Sequence, residues 1–168
     1  MTRRLATVLF DRFELLDVFG PLELFGVARD EFELVMLGPS GSPVASAQGP
    51  RVVPDHVYAD APPADVILVP GGIGTRGLVE DRAFLDWLAG YAEPAELVTS
   101  VCTGAGLLAA AGLLDGRKAT TNKRSFAWVV GQGPAVEWVP EARWVVDGNR
   151  WTSSGVAAGI DMAVAILG

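Results

Sequence analysis

The stretch LVTSVCTGAGLLAAAGLL, residues 97–114, decides how this chain is read. Its first five residues are β-branched and apolar apart from Thr99 and Ser100, the pattern of a short strand covered on both faces. The small residues Thr103, Gly104, Ala105 and Gly106 follow, letting the backbone turn sharply and pack closely on a sheet as a helix begins. Between the two stands Cys102, the only cysteine. A strand-to-helix elbow holds such a side chain above the carboxyl end of the strand, at the positive end of a helix. A free cysteine has a pKa of about 8.5, and this placement is expected to lower it until thiolate is the main form at neutral pH. A buried structural cysteine is the competing role. The elbow pattern favours a nucleophile.

Outward from the elbow, strands alternate with helices. Residues 4–10, 32–38 and 66–69 read as strands, and residues 51–58 as an extended edge segment after a loop at 39–48. Residues 15–28 read as a helix that Gly20 and Pro21 should kink or restart, and residues 77–92 as one amphipathic helix. After the elbow come a strand at 118–121, a helix around 125–130, a β-rich stretch at 136–152 and an apolar, buried last helix at 155–167. The alternation predicts an α/β fold with a mostly parallel sheet covered by helices on both faces. Ligands of such folds bind beyond the carboxyl ends of the strands, where Cys102 and the turn at Gly71 and Gly72 both fall.

At 168 residues, half of them hydrophobic, with a mean hydropathy of +0.33, the chain is expected to fold as one domain over residues 1–168. A lone cysteine excludes an internal disulfide framework and suits a reducing cytoplasm. No stretch reads as a signal peptide or a membrane span, so a soluble cytoplasmic protein is expected. The formal charge of −7 argues against nucleic-acid binding. The one histidine, His56, has no partner at ligand spacing, so no metal is expected.

A thiolate that attacks an unsaturated carbon needs donors for the developing charge, and the Gly71, Gly72 and Thr103 amides are the candidates. It also needs a proton-exchanging partner. Asp17 lies among apolar residues shortly after the first strand, with a helix N-cap as its alternative role. Glu23, two turns on, is the competing carboxylate and reads as a solvated helix residue. His56 reads as exposed or structural, and Lys123 and Arg124 as solvated charges. Ser153 and Ser154 read as the N-cap of the last helix and as candidate pocket residues. Trp128, Trp138, Trp144 and Trp151 are assigned to the core.

With these residues in place, the chain resembles the DJ-1/PfpI (ThiJ) superfamily over essentially its whole length. The resemblance rests on DVFGPLE at residues 17–23, VPGG at 69–72, SVCTGA at 100–105, KATTNK at 118–123 and SSGVAAGIDMA at 153–163. It implies a flavodoxin-like three-layer sandwich with a nucleophile elbow. The aspartate before the Gly-Pro pair and the Cys-Thr pair look most like the isocyanide hydratase branch, which adds water to an isocyanide to give an N-substituted formamide. That likeness implies Cys102 as nucleophile, Asp17 as its acidic partner and proton shuttle, and Thr103 beside them. Gly71, Gly72, Asn122 and Ser153 would line the substrate site. It implies a small-molecule substrate, no cofactor and a homodimer. Several relatives carry histidine where this chain has Asn122, which removes the usual Cys-His pair and disfavours peptidase or amidase chemistry. Hydratase-like relatives usually continue past the equivalent of Gly168, and another group of relatives adds an AraC-type DNA-binding module. A redox-sensing or ligand-binding domain and a glyoxalase-like enzyme acting on small oxoaldehydes are the alternatives.

Overall fold

A computed structural model describes residues Met1–Gly168. The chain opens with β1 (Arg3–Val8), α1 (Leu15–Val27) and β2 (Phe32–Gly38). Three short strands follow, β3 (Val44–Ala45), β4 (Arg51–Val52) and β5 (His56–Val57). Next come β6 (Val66–Val69), α2 (Thr75–Leu78), α3 (Arg82–Ala92) and β7 (Leu97–Val101). The elbow leads into α4 (Gly104–Ala110), β8 (Lys118–Ala119) and α5 (Phe126–Val130). The last elements are β9 (Glu137–Trp138), β10 (Trp144–Asp147), β11 (Arg150–Ser153) and α6 (Ala157–Leu167).

Seven strands form one sheet in the order β10-β11-β7-β6-β1-β2-β5, parallel throughout except for the β10–β11 hairpin. The run β2-β1-β6-β7-β11 is the flavodoxin-like order. One layer pairs α1 with α6, and the other sets α4 against β6 and β7 with α2, α3 and α5 beside it. All four residues of β6 are buried, as a parallel strand covered on both faces requires. Topology then fixes where a ligand would sit. The chain turns to β2 on one side of β1 and to β6 on the other, so the loops after β1 and β6 diverge around a crevice.

Several expected elements differ in detail. The helix expected at 77–92 is two, because the Asp81 carboxylate accepts from the Phe84 amide at 3.1 Å and starts α3 afresh. The extended segment at 51–58 divides into β4 and β5, separated by Val53, Pro54 and Asp55. Neither a kink nor a restart divides α1 at Pro21, which lies inside the helix. It removes only the donor that would have reached the Asp17 carbonyl one turn earlier. The last helix is half-exposed rather than buried, with Val164 55 % exposed.

Candidate active site

The elbow forms as the sequence predicts. Cys102 has φ of +57°, a left-handed conformation that costs a non-glycine residue roughly 1–2 kcal/mol. Hydrogen bonds hold it there. The Cys102 N–H donates to the carbonyls of Ser153 at 3.2 Å and Ser154 at 3.1 Å, and the Thr121 hydroxyl donates to the Cys102 carbonyl at 2.7 Å. The strain aims the side chain away from the sheet and over its carboxyl edge. Gly71 must lack a side chain for this to fit, since a Cβ there would lie 2.7 Å from the Cβ of Cys102 and 2.6 Å from the Thr103 nitrogen.

Four groups converge on the sulfur. Asp17, fully buried in the first turn of α1, accepts from the Gly71 N–H through Oδ2 at 3.0 Å, which closes the crevice between β1 and β6. Its Oδ1 is buried without a hydrogen-bond partner, and the carboxylate lies close enough to the Cys102 sulfur for each group to shift the other's ionisation. The Thr103 amide and hydroxyl favour the charged form of the sulfur, and so does the Asn122 side chain. Asn122 reaches it because Gly155 leaves room, a Cβ there falling 2.7 Å from Nδ2. Its amide orientation is fixed by its own hydrogen bonds. Oδ1 accepts from the Arg124 N–H at 2.9 Å and the Ser125 N–H at 3.2 Å, so Nδ2 is the atom turned to the elbow.

The electrostatics correct one expectation. Burial, and then the negative charge of Asp17, push the Cys102 thiol up to about 12, and the surrounding donors offset only part of this. Cys102 therefore rests as a thiol, not a thiolate. Burial also raises Asp17, from 3.8 to about 7, with the Gly71 amide opposing the shift and Glu14 adding to it. Around neutral pH the pair holds one mobile proton between a carboxylate poised to take it and a thiol poised to give it.

The sequence and the architecture agree on kinship. Residues 3–168 match the DJ-1/PfpI family. The isonitrile hydratase of Pseudomonas putida is 37% identical over 167 residues, 99% of this chain and 71% of that protein. The chain belongs to the DJ-1/PfpI family. A THiJ/PfpI family protein from Pseudomonas syringae superposes with a TM-score of 0.90 at 32% identity, covering 99% of this chain and 68% of that one. The HTH-type transcriptional regulator GbdR of Pseudomonas aeruginosa is 30% identical over 96% of this chain but only 45% of its own length. DJ-1/PfpI domains thus occur both in a hydratase and within a regulator.

In this DJ-1/PfpI chain the remaining site residues fall as follows. The Gly71 and Gly72 amides are not free oxyanion donors. Gly71 serves Asp17, and Gly72 donates to the Thr103 hydroxyl at 3.0 Å. Both glycines shape the site, while the Thr103 amide and Asn122 Nδ2 address the reacting sulfur. Ser153 does not face a pocket, for its hydroxyl donates to the carbonyls of Ser100 and Ser154 and its own carbonyl receives the Cys102 amide. Neither Ser153 nor Ser154 caps α6, whose N-terminus carries no side-chain cap. Asp17 is likewise not an N-cap, since α1 begins two residues earlier. Glu23 and His56 are exposed, as expected. The Lys123 ammonium donates to Thr120 Oγ1 and the Ala142 carbonyl. The four tryptophans pack, half-buried, against the core. Sequence reasoning missed Thr75 and Thr121. Fully buried, Thr75 donates to the Gly72 carbonyl at 2.7 Å and approaches Thr103 Oγ1 at 3.2 Å. The TT pair at 120–121 was visible in the sequence, but only the fold shows that its second hydroxyl braces the elbow.

Proposed function

We propose that this chain is a cysteine-dependent hydratase that adds water to an isocyanide and releases an N-substituted formamide. The observation that carries the reading is the buried Asp17 carboxyl, raised to about 7 and with an unpartnered oxygen, beside the sulfur of a strained elbow. The similarity to isonitrile hydratase supports it.

The chemistry follows from the proton the pair shares. Asp17 takes the Cys102 proton as sulfur attacks the terminal isocyanide carbon, and returns it to that carbon, leaving a thioimidate, R–N=CH–S–Cys102, beside an ionised Asp17. Water then adds to the same carbon. One of its protons passes by way of Asp17 to the substrate nitrogen, giving a tetrahedral adduct. Asp17 takes the remaining hydroxyl proton as the C–S bond breaks, the formamide leaves, and the proton returns to sulfur. The sum is one isocyanide plus one water. The Thr103 amide and Asn122 Nδ2 stabilise negative charge at the sulfur during attack and departure. An amide at 122 donates without titrating, so Asp17 alone carries the protons.

Formamide release from a simple alkyl isocyanide, compared between wild type and Cys102→Ala at equal folded concentration, tests the reaction. Turnover lost in the variant supports it, and an inactive wild type rejects it. The proposal includes one domain over residues 1–168, for which one cluster of 32 buried residues reaching from Leu5 to Ala163 speaks. It also includes a cytoplasmic location, which the unpaired cysteine suits. A homodimer completes it. Leu16 (47 % exposed), Phe19 (39 %) and Val164 (55 %) leave apolar surface on the α1 and α6 layer, and light scattering should give twice the chain mass.

A further inference from the structure

An arginine that no step above uses is linked through Ser125 to Asn122 of the Cys102 site. Arg76, in α2, sits four residues after Gly72 and lays its guanidinium over the Trp128 ring, 3.9 Å from the centroid. One terminal nitrogen reaches Ser125 Oγ at a long 3.4 Å. Ser125 in turn donates its N–H to Asn122, the residue that contacts the sulfur. Arg76 thus spans from the Gly72 wall of the site to the Asn122 wall. A guanidinium stacked on an indole uses its face and leaves its edge donors free, in the planar array that matches a carboxylate.

Its charge is not compensated. Arg4, Arg12, Arg82, Arg117 and Arg143 each have an acidic partner within 4.0 Å; Arg76, like Arg3, Arg29, Arg51, Arg124 and Arg150, has none. Arg76 is exposed, so its guanidinium is open to an approaching anion. The nearby ammonium of Lys123 is turned to the Ala142 carbonyl and Thr120. Glu14 supplies negative potential at Asp17, and Gln48 donates to its Oε1 at 2.9 Å.

We propose that Arg76 is a specificity residue, which draws in substrates whose end remote from the reacting carbon carries a carboxylate and binds that group by its edge donors. The proposal rests on Cys102 being the reacting atom and names the substrate class of that site.

Alkylation of Cys102 tests it without requiring turnover. Iodoacetate and iodoacetamide present the same reacting carbon and differ in charge. Arg76→Gln should lower the iodoacetate rate by about fivefold, while the iodoacetamide rate stays within about twofold, the scale of an exposed charge contact. Arg76→Lys should recover part of the loss. Arg124→Gln, which removes a neighbouring exposed cation, should leave the ratio of the two rates unchanged. An unchanged ratio in Arg76→Gln overturns the proposal. So does an equal fall in Arg124→Gln, which would reveal only the general field, or a failure of either reagent to label Cys102. Isocyanoacetate and its methyl ester, assayed in parallel, should show a raised KM for the acid alone in Arg76→Gln. If neither is turned over by wild type, the hydratase reading fails while the alkylation ratio still decides the role of Arg76.

Discussion

Two regions at the carboxyl edge of the sheet differ in kind. One is a cavity of about 610 Å³ lined by Phe10, Tyr58, Phe84 and Trp87, with Asp11 and Asp81 among its polar residues. Its polar tips are satisfied. The Tyr58 hydroxyl donates to the Leu9 carbonyl, the Trp87 ring N–H donates to the Tyr58 carbonyl at 3.0 Å, and the two rings stack at 4.3 Å. The other is the elbow around Cys102 and Asp17, with strained backbone, a buried carboxylate oxygen without a hydrogen-bond partner and two raised pKa values. Volume marks where a molecule fits, whereas unsettled buried groups mark where bonds change. In this fold the two are separate places.

Substitutions on each side should keep that separation. Cys102→Ala should abolish formamide release while the fold persists, since alanine fills the elbow without the sulfur. Asp17→Asn should lower the rate by about 10²- to 10⁴-fold, the usual worth of a positioned acid–base group. In wild type, kcat/KM should rise with pH through about 7 as Asp17 becomes the carboxylate that accepts the thiol proton. Asn122→Ala, which removes one donor to the sulfur, should lower kcat by about a hundredfold. On the aromatic side, Trp87→Ala should destabilise the fold by about 2–4 kcal/mol. Its turnover per folded molecule should match wild type. A hundredfold loss there would erase the distinction between the two regions.

Asp17 also sets stability against activity. Its folded pKa of about 7 lies above the ordinary 3.8, so its protonated form is the one that the fold favours. The contribution is fully present below pH 3.8 and is lost as pH rises toward 7, after which it is flat. Asparagine escapes this loss. The variant's advantage in denaturant unfolding should grow between pH 4 and 7 and level off near the order of 4 kcal/mol, at 1.36 kcal/mol per pKa unit. Equal pH profiles for both proteins would show that folding does not raise the Asp17 pKa.

The elbow was legible in the sequence because the apolar strand, the cysteine and the small residues are contiguous between residues 97 and 106. Asp17 was legible as a polar residue in an apolar run, and its bond to Gly71 follows from the chain's reversal beside β1. The sense of the Cys102 shift was not legible. Proximity to a helix start speaks for thiolate, but burial at 8 % exposure and a carboxylate neighbour outweigh it, and both depend on packing. The glycine amides misled for a similar reason, because a turn motif does not reveal where its N–H groups are spent. Arg76 was invisible altogether. Its role arises only when α2 and α5 lie side by side near α4 and bring it over Trp128.

Mass analysis of protein quenched during reaction with an alkyl isocyanide tests the central claim most directly. The account predicts one added substrate mass, confined to the peptide that carries Cys102, reached more slowly in Asp17→Asn and absent from Cys102→Ala. Formamide release with no adduct on Cys102, or equal release by Cys102→Ala, would contradict it.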